Sequence, residues 1–261
     1  MKSKFRLNAL AQTDIGQRSD HNEDSVFCEV GEHGTTALLI VADGMGGHVA
    51  GEQASQMALE IVVKTMRPWL AKENIPPSEQ LTAEIDEALS KAVQKANQVV
   101  YDYAQENLAY GSHMGSTIVC ALIHQSNVYI ANVGDSRAYL YRQGHLHRLT
   151  EDHSLVERFV QEGIITEQER YDHPSANIVT RAIGPKPNVG VDLYGFALED
   201  GDYLLLCSDG LWEMLRGNEA ITRHLQSKHN LTKISQNLIS AANEAGGKDN
   251  ISVVLAECRL A

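Results

Sequence analysis

The sequence has few positive charges, few cysteines and no long apolar segment. Its 261 residues include 22 Lys and Arg against 34 Asp and Glu, which gives a net charge of −12. Nucleic-acid binding depends on clustered basic residues, so this acidic balance argues against nucleic acid as a partner. A membrane span needs about 20 consecutive apolar residues, and no segment approaches that length. We therefore expect neither a nucleic-acid partner nor a membrane partner.

The four cysteines do not follow a pattern that is typical of disulfide frameworks or zinc sites. Cys28, Cys120, Cys207 and Cys258 are far apart, and no two of them form a CxxC pair. Isolated cysteines in apolar segments are typical of reduced, buried thiols in a cytosolic protein. The first residues also lack the apolar stretch of a secretory signal. These features predict a cytoplasmic protein.

The hydrophobic pattern predicts helices that are clustered along the sequence rather than alternating with strands. Helical spacing of apolar residues predicts helices at 54–66, 81–103, 219–226 and 233–245. Short segments rich in β-branched residues predict strands at 36–42, 117–123, 128–133, 138–141, 203–207 and 251–256. This order favours a layered α+β domain over a doubly wound sheet.

One long segment has no sustained period. Residues 159–190 contain three glycines and three prolines, and a long irregular insertion in a compact domain is more often functional than a simple connection. We expect a flap at about residues 159–180, held by few apolar contacts and mobile enough to adapt to a protein substrate. The flap is expected to lie within a single domain that spans residues 1–261.

Five aspartates stand at the ends of predicted strands or, for Asp24, just before another short apolar segment. They are Asp24, Asp43, Asp135, Asp209 and Asp249. A single Asp-Gly pair is usually a turn former or a helix cap. Two of these aspartates, Asp43 and Asp209, share one pattern, in which an apolar segment is followed by Asp and then Gly. This recurrence favours a gathered cluster over five independent turns.

A gathered cluster of carboxylates implies cations, because burying unpaired negative charges is costly. Oxygen ligands favour Mg²⁺ or Mn²⁺ over Zn²⁺, which prefers His and Cys. Gly44 and Gly210 directly follow two of the aspartates. Because glycine has no Cβ, the backbone at these positions can come close enough to a metal for a carbonyl to bind it.

Short motifs follow one another along the whole chain. They are Thr13-Asp14-Ile15-Gly16, Asn22-Glu23-Asp24, Val41-Ala42-Asp43-Gly44-Met45-Gly46-Gly47-His48, Ala50-Gly51-Glu52, Gly115-Ser116-Thr117, Asn132-Val133-Gly134-Asp135-Ser136-Arg137, Leu149-Thr150-Glu151-Asp152-His153-Ser154, Thr180-Arg181-Ala182-Ile183-Gly184, Leu206-Cys207-Ser208-Asp209-Gly210-Leu211-Trp212 and Gly247-Lys248-Asp249-Asn250-Ile251. In this order the set resembles the metal-dependent Ser/Thr protein phosphatases of type 2C, in their compact bacterial form. A single such motif would be a weak indication, whereas the ordered set is highly specific.

The resemblance implies a four-layer α-β-β-α sandwich, in which two antiparallel β-sheets are flanked by helix pairs and carry a binuclear metal site at one end. Asp43 then corresponds to the carboxylate that bridges two metals, with the carbonyl of Gly44 as a further ligand. Asp209 and Asp249 correspond to ligands of one of these metals. The implied reaction is hydrolysis of phosphoserine or phosphothreonine by direct attack of a metal-bridging water.

The remaining acidic residues of the motifs are implied in weaker contacts. Glu23 and Asp24 correspond to residues that reach the other metal, largely through water. Asp135 corresponds to the residue that holds a third, weaker metal in bacterial members. The resemblance thus implies two tightly bound Mg²⁺ or Mn²⁺ ions and a third ion of lower affinity.

Two positions depart from the family pattern. The family usually has a phosphate-binding Arg five residues before the Asp of the Asn-Glu-Asp motif, where this chain has Ser19 and places Arg18 one residue earlier. In an extended segment that shift reverses the side chain, so Arg18 is either a phosphate ligand reached through a bulge or a surface arginine. Some relatives place a proton-donating His after the Asp-Gly pair, where this chain has Met45. His48 is then a candidate proton donor or simply a histidine at a helix N-terminus.

Two further classes of function compete with the active phosphatase. A catalytically weak pseudophosphatase that binds phosphoproteins would be indicated by loss of Asp43, Asp209 or Asp249, and all three are present. A phosphodiesterase or nuclease would be expected to have His-rich motifs and a basic face. We therefore predict a metal-dependent protein-serine/threonine phosphatase that acts on phosphorylated proteins as a monomer.

Overall fold

The structure of the chain is a computed structural model that describes residues 5–47, 49–73, 75–107, 114–227 and 229–260. The strands are β1 (Phe5–Asp14), β2 (Asp24–Val30), β3 (Thr36–Met45), β4 (Gly115–Ser116), β5 (Ile118–His124), β6 (Asn127–Val133), β7 (Arg137–Arg142), β8 (His145–Arg148), β9 (Asp192–Ala197), β10 (Tyr203–Cys207) and β11 (Ile251–Leu260). The helices are α1 (Val49–Met66), α2 (Glu79–Asn107), α3 (Leu155–Gln161), α4 (Asp209–Leu215), α5 (Asn218–Leu225) and α6 (Leu231–Glu244). Short 3-10 turns lie at Arg67–Ala71 and Glu169–Asp172.

Across the described ranges, the strands form two antiparallel sheets. The first has the strand order β1-β11-β10-β7-β8, and the second has the order β2-β3-β5-β6-β9 with β4 beside the end of β3. Alternate residues of both sheets belong to one buried apolar cluster, which includes Leu39 of β3 and Leu206 of β10. Because side chains alternate between the faces of a strand, these residues show that the two sheets pack face to face.

Helices cover the outer face of each sheet. Leu38 of β3 packs in a cluster with Ala58 of α1 and Leu89 of α2. On the opposite side, Leu205 of β10 packs in a cluster with Leu238 of α6. The layers are therefore α-β-β-α, and the fold class predicted from the sequence is confirmed.

Several elements have no clear signal in the sequence. The predicted strand at 203–207 coincides with β10, but β1, β8, β9, α3 and α4 are not predicted. β1, β8 and β9 are edge strands, and most of their side chains are exposed or half-buried, so they lack the apolar segments that mark the central strands. α4 begins at Asp209, directly after β10, where the pattern indicates only a turn.

The flap, residues 159–180, is held more firmly than the sequence predicts. α3 extends into it as far as Gln161, and a 3-10 turn lies inside it. Arg170 is only 1% exposed, and the half-buried Tyr171 contacts the ring of Trp212. Ile164 is 61% exposed. Ion pairs, which leave no apolar period in the sequence, hold Arg170, so its burial does not conflict with the expectation of few apolar contacts. The ring contact of Tyr171 is an apolar contact that this expectation misses.

The cysteines are free, as the sequence predicts. Cys120, Cys207 and Cys258 are buried within strands, and Cys28 is half-buried. Burial raises the pKa of the Cys120 thiol to about 12, since the thiolate would be desolvated there. These side chains therefore act as small apolar residues of the core.

The second helix, α2, spans 29 residues and lies along the outer face of the second sheet. Its buried stripe includes Ile85, Leu89, Ala96 and Val100, at the spacing of one helix face. The stripe also contains the polar residue Asn97, which is 1% exposed. None of the described helices, α2 included, is long and apolar enough to cross a membrane.

Asn97 fixes an irregular loop onto α2. Its side-chain Oδ1 accepts a hydrogen bond from the backbone N–H of Gly184 at 2.8 Å. Its Nδ2 donates to the carbonyls of Lys186 at 3.0 Å and Pro187 at 3.2 Å. Backbone groups outside helices and sheets need such partners when they are buried. The position of the 184–187 loop therefore depends on one side chain.

We expect Asn97→Leu to lower the free energy of unfolding by about 2–4 kcal/mol, since it leaves backbone groups without partners. Gln94→Leu is the matched control, because Gln94 lies on the exposed side of the same helix. Urea unfolding followed by circular dichroism compares the two variants. Equal stability of the two would show that the loop does not depend on Asn97.

Candidate metal centre

The ends of several strands meet at one edge of the sandwich. β3, β6 and β10 end at this edge and β2, β5 and β11 begin there, because the paired strands run antiparallel. The strand ends and adjoining turns carry the aspartates that the sequence singles out, namely Asp24, Asp43, Asp135, Asp209 and Asp249. The structure therefore brings together carboxylates that are far apart in the sequence.

Asp24 and Asp43 are direct cross-strand neighbours in the β2–β3 pair. Like charges in such a pair repel, because their Cβ atoms are about 4.5–5.5 Å apart. Asp24 is 8% exposed and accepts a hydrogen bond from Ser208 Oγ at 2.8 Å. Burial raises the pKa of Asp24 to about 6, although hydrogen bonds from Ser252 and Ser208 partly offset it.

Asp43 and Asp209 are the most strongly perturbed acids of the cluster. Burial and the charge of Asp209 hold the pKa of Asp43 well above its usual range. Burial and the charge of Asp135 do the same for the pKa of Asp209. Asp209 Oδ1 is buried and has no hydrogen-bond partner among the described residues. A buried acceptor without a partner is costly, which is the condition that a bound cation would relieve.

Asp135 lies in the turn between β6 and β7, and His153 holds this turn in place. The backbone N–H of Gly134 donates to His153 Nδ1 at 2.9 Å, and the N–H of His153 donates to the Gly134 carbonyl at 3.0 Å. His153 Nε2 faces Asp192 Oδ2 at 3.0 Å. Burial, with repulsion from Asp152, raises the pKa of Asp135 to about 7.

Glu213 is an acidic residue of this edge that the sequence analysis misses. It lies one helical turn after Asp209 in α4, and its charge contributes to the raised pKa of Asp209 and of Asp135. Residues four apart share one face of a helix, so the spacing of Asp209 and Glu213 is the signal that could have revealed it. That signal is hidden because α4 itself is not predicted.

Asn250 ties two loops of the edge together. Its Oδ1 accepts a hydrogen bond from the backbone N–H of Glu23 at 2.7 Å, and its Nδ2 donates to the carbonyls of Ile15 at 2.9 Å and His21 at 3.0 Å. The preceding residue, Asp249, lies at the solvent side of the cluster, and partial desolvation raises the pKa of its carboxyl. One amide therefore fixes the segment of Glu23 against the segment of Asp249.

The glycines of the site permit close approach of backbones. A Cβ on Gly44 would lie 2.1 Å from the carbonyl oxygen of Gly51 and 2.7 Å from that of Glu23. A Cβ on Gly210 would lie 2.0 Å from the carbonyl oxygen of Asn250. No other residue type fits at these two positions. Close backbone packing therefore explains both glycines, whether or not the Gly44 carbonyl binds a metal.

Arg18 lies in a turn rather than in an extended segment. The backbone N–H of Gln17 donates to the Gly247 carbonyl at 2.8 Å, which holds this turn beside the loop of Asp249. The alternation of side chains along a strand therefore does not determine the direction of Arg18, which is exposed. His48, the other candidate, lies outside the described residues.

The donor set fits hard divalent cations in its chemistry. It consists of carboxylates and nearby backbone carbonyls, which Mg²⁺ and Mn²⁺ prefer. Among the described residues, no three His, Cys, Asp or Glu side chains already stand in an arrangement that would hold an ion. Two observations support a cation here. The carboxylates repel one another, and the buried Asp209 Oδ1 has no hydrogen-bond partner among the described residues.

Residues 13–244 match the sequence model of a family described as Protein phosphatase 2C. The chain belongs to the protein phosphatase 2C family. The resemblance stated from the sequence motifs is thereby confirmed. Over 254 residues this phosphatase 2C chain is 40% identical to the serine/threonine phosphatase stp of Listeria monocytogenes, and the alignment covers 96% of each protein.

Solved structures of phosphatase 2C relatives have the same fold. The serine/threonine phosphatase of S. agalactiae is 39% identical, with a TM-score of 0.84, and the match covers 96% of this chain and 99% of that one. The catalytic domain of the phosphatase PstP, described in complex with two manganese ions, is 32% identical with a TM-score of 0.79 and covers 98% of this chain and 99% of that one. The family and this manganese-bound relative support metal dependence.

We expect Asn250→Ala to weaken Mn²⁺ binding by about 10–100-fold, the usual effect of losing a residue that orients metal ligands. The variant frees the backbone of Glu23 from the loop of Asp249. Asn218→Ala is the matched control, since the Asn218 amide also donates to a carbonyl, that of Leu146, but lies on α5. Calorimetric titration of the metal-free proteins measures both affinities. Unchanged affinity in Asn250→Ala would contradict this role.

Proposed function

We propose that the protein is a metal-dependent protein phosphatase that hydrolyses phosphoserine and phosphothreonine in other proteins. The observation that carries the proposal is the cluster of mutually repelling carboxylates at the sheet edge, in which Asp24 faces Asp43 directly. Membership of the phosphatase 2C family and the name of the Listeria monocytogenes relative support this reaction.

The tight metal pair is assigned to Asp43 and to the acidic residues around it. Asp43 is proposed to bridge the two ions, with the Gly44 carbonyl as a further ligand. Asp209 and Asp249 would hold one of the ions, and Asp24 and Glu23 would reach the other through water. Bound Mg²⁺ or Mn²⁺ supplies a nucleophile at neutral pH and neutralises the charge of the phosphoryl group.

A third, weaker ion is assigned to Asp135. This carboxyl lies in a turn that His153 orders, rather than on a paired strand. Glu213 on α4 interacts with the charge of Asp135 and is the described residue that we add to this site. A site with two carboxylates is expected to bind a divalent cation less tightly than the central cluster, which has more of them.

Arg18 is proposed to orient the phosphate group of the substrate. Its turn is fixed to the loop of Asp249 by the hydrogen bond between Gln17 and Gly247, and Arg18 is exposed. Arginine suits this role because its planar fork can donate two hydrogen bonds to phosphate oxygens. The proton donor for the leaving hydroxyl is left open, with His48 as a candidate.

We also propose the oligomeric state and location of the protein and the segment that contacts its substrate. The chain is taken as one domain over residues 1–261, monomeric and cytoplasmic, and the flap at 159–180 is proposed to contact the polypeptide around the phosphate. Exposed residues of the flap such as Ile164 are suited to this contact. The alternative, a pseudophosphatase that only binds phosphoproteins, is not favoured, since every acidic residue of the cluster is retained and the relatives are named phosphatases.

We expect hydrolysis of phosphothreonine peptides to require Mn²⁺ or Mg²⁺ and to stop in excess EDTA. Asp209→Asn should lower kcat/KM by more than about 100-fold, because even outer partners of a metal site account for 10–100-fold. Asp86→Asn on α2 is the matched control. Release of inorganic phosphate is the measurement, with circular dichroism as the check on folding.

Three results would contradict different parts of this proposal. Full activity in EDTA would exclude the metal-dependent reaction. A folded wild-type protein that binds Mn²⁺ and phosphopeptides without releasing phosphate would instead establish the pseudophosphatase. A folded Asp209→Asn variant with unchanged kcat/KM and metal affinity would remove Asp209 from the ligand set.

A further inference from the structure

A side-chain hydroxyl interrupts the backbone pairing of β3 at Asp43. The backbone N–H of Thr117 donates to the Asp43 carbonyl at 2.8 Å, as in a regular antiparallel pair. The reciprocal bond of such a pair would join the Asp43 N–H to the Thr117 carbonyl. The Asp43 N–H instead donates to the side-chain Oγ1 of Thr117 at 3.1 Å. The side chain of Thr117 therefore helps to fix the backbone of Asp43.

The interruption is one residue long, and regular pairing surrounds it. Thr117 is the single residue between β4 and β5. On one side of it β3 and β4 pair at Gly44 and Ser116, and on the other side β3 and β5 pair at Val41 and Val119. The Thr117 carbonyl accepts a hydrogen bond from Ser116 Oγ at 2.7 Å. The departure from the ladder thus falls at the residue that carries the central carboxylate of the cluster.

Thr117 also contacts both chain neighbours of Asp135, in the turn after β6. Its Oγ1 lies 2.7 Å from Ser136 Oγ, in a hydrogen bond in which either hydroxyl can donate. A Cβ on Gly134 would lie 2.6 Å from the Thr117 Cγ2, so the methyl group of Thr117 packs directly on the glycine backbone. One side chain therefore contacts the strand end of Asp43 and the turn of Asp135.

The place of Thr117 in the sheet explains this double contact. Thr117 directly precedes β5, and β5 lies between β3 and β6 in the second sheet. Thr117 is 1% exposed and Ser136 is 0% exposed, so their hydroxyl groups are shielded from solvent. Threonine is branched at Cβ, which restricts its side-chain torsion. Its hydroxyl and methyl groups are therefore held in fixed directions, one toward each set of contacts.

We propose that Thr117 is a positioning residue that holds Asp43 in place for cation binding by joining the end of β3 to the turn of Asp135. This inference rests on the proposed function for the cation, whereas the contacts of Thr117 exist without it. Asp43 is proposed to bridge two ions, so a displacement of its backbone would change the contacts with both ions at once. The backbone of Asp43 is therefore a point at which metal affinity depends on a residue that is not itself a ligand.

Two substitutions separate the hydroxyl group of Thr117 from its methyl group. Thr117→Val keeps the branched shape and removes the hydroxyl, whereas Thr117→Ser keeps the hydroxyl and removes the methyl. Calorimetric titration of the metal-free proteins with Mn²⁺ measures the tightest binding. We expect Thr117→Val to weaken it by about 10–100-fold and Thr117→Ser to stay within about threefold of the wild type. Wild-type affinity in a folded Thr117→Val protein, or an equal loss in Thr117→Ser, would overturn the proposal.

The matched control is Thr36→Val, at the other end of β3. Thr36 is 0% exposed, and its Oγ1 donates to the Leu70 carbonyl at 2.8 Å. Thr36→Val also leaves a buried backbone group without its partner, so we expect stability to fall while Mn²⁺ affinity stays within about twofold. Thermal unfolding places the variants on one scale of stability. If Thr36→Val and Thr117→Val lose Mn²⁺ affinity equally, general destabilisation explains both and Thr117 has no positioning role.

Ser136→Ala tests the connection to the turn of Asp135. It removes the bond between the two hydroxyls and leaves the bond from Asp43 to Thr117, so it keeps the proposal testable if Thr117→Val does not fold. We expect Ser136→Ala to weaken Mn²⁺ binding by about tenfold and to have little further effect in a Thr117→Val background, because both changes remove the same bond. Unchanged affinity in a folded Ser136→Ala protein would contradict the connection.

Amide exchange in the metal-free protein tests the positioning without activity or an ion. Thr117→Val leaves the Asp43 N–H without its acceptor, so we expect exchange of this amide, followed by nuclear magnetic resonance, to accelerate about tenfold or more. Thr117→Ser and Thr36→Val should leave it unchanged. Wild-type exchange at Asp43 in a folded Thr117→Val protein would exclude the role. A wild-type protein without metal-dependent hydrolysis would instead refute the proposed function and leave this measurement to decide whether Thr117 positions Asp43.

Discussion

Asp24 and Asp43 face each other across β2 and β3, and their mutual repulsion is the constraint around which this edge of the sandwich is arranged. Neighbouring strands bring further carboxylates to the same edge, so burial and like charge act together. The surrounding polar residues hold the backbone in place rather than neutralise the charge, as the Asn250 amide does between two loops. The buried carboxylates of this edge therefore destabilise one another in the folded protein, and a bound divalent cation is suited to relieve this repulsion.

A second group of buried acids at the same edge is neutralised by arginine side chains. Asp152 and Glu157 are as deeply buried as any acid of the cluster, yet arginine guanidiniums satisfy both of them. Two kinds of acidic site therefore lie side by side. Arginine side chains neutralise one kind, and the other is suited to bind metal cations. Trp212 lies at their boundary, since its ring meets Arg137 and its indole N–H meets the backbone of Asp135.

The sequence predicts the residues of the edge better than the contacts that organise them. Asp43 and Asp209 are recognisable because apolar central strands lead directly into Asp-Gly pairs, and antiparallel pairing then places them together. Glu213 is missed because the short helix α4 has too few residues to show a period. Arg170 is missed as a buried residue because ion pairs can join any positions along the chain, and only the folded backbone selects them.

The strand order of the first sheet has a consequence for synthesis on the ribosome. Of the strands that the structure describes, β11 is translated last, yet it lies between β1 and β10 in the sheet. Until β11 has emerged, β1 lacks its partner and the loop of Asp249 and Asn250 cannot close against Glu23. Such long-range pairing forms slowly compared with local structure. A nascent chain can therefore bring Asp24 and Asp43 together through the pairing of β2 and β3, whereas Asp249 takes its place beside them only after β11 has joined the sheet.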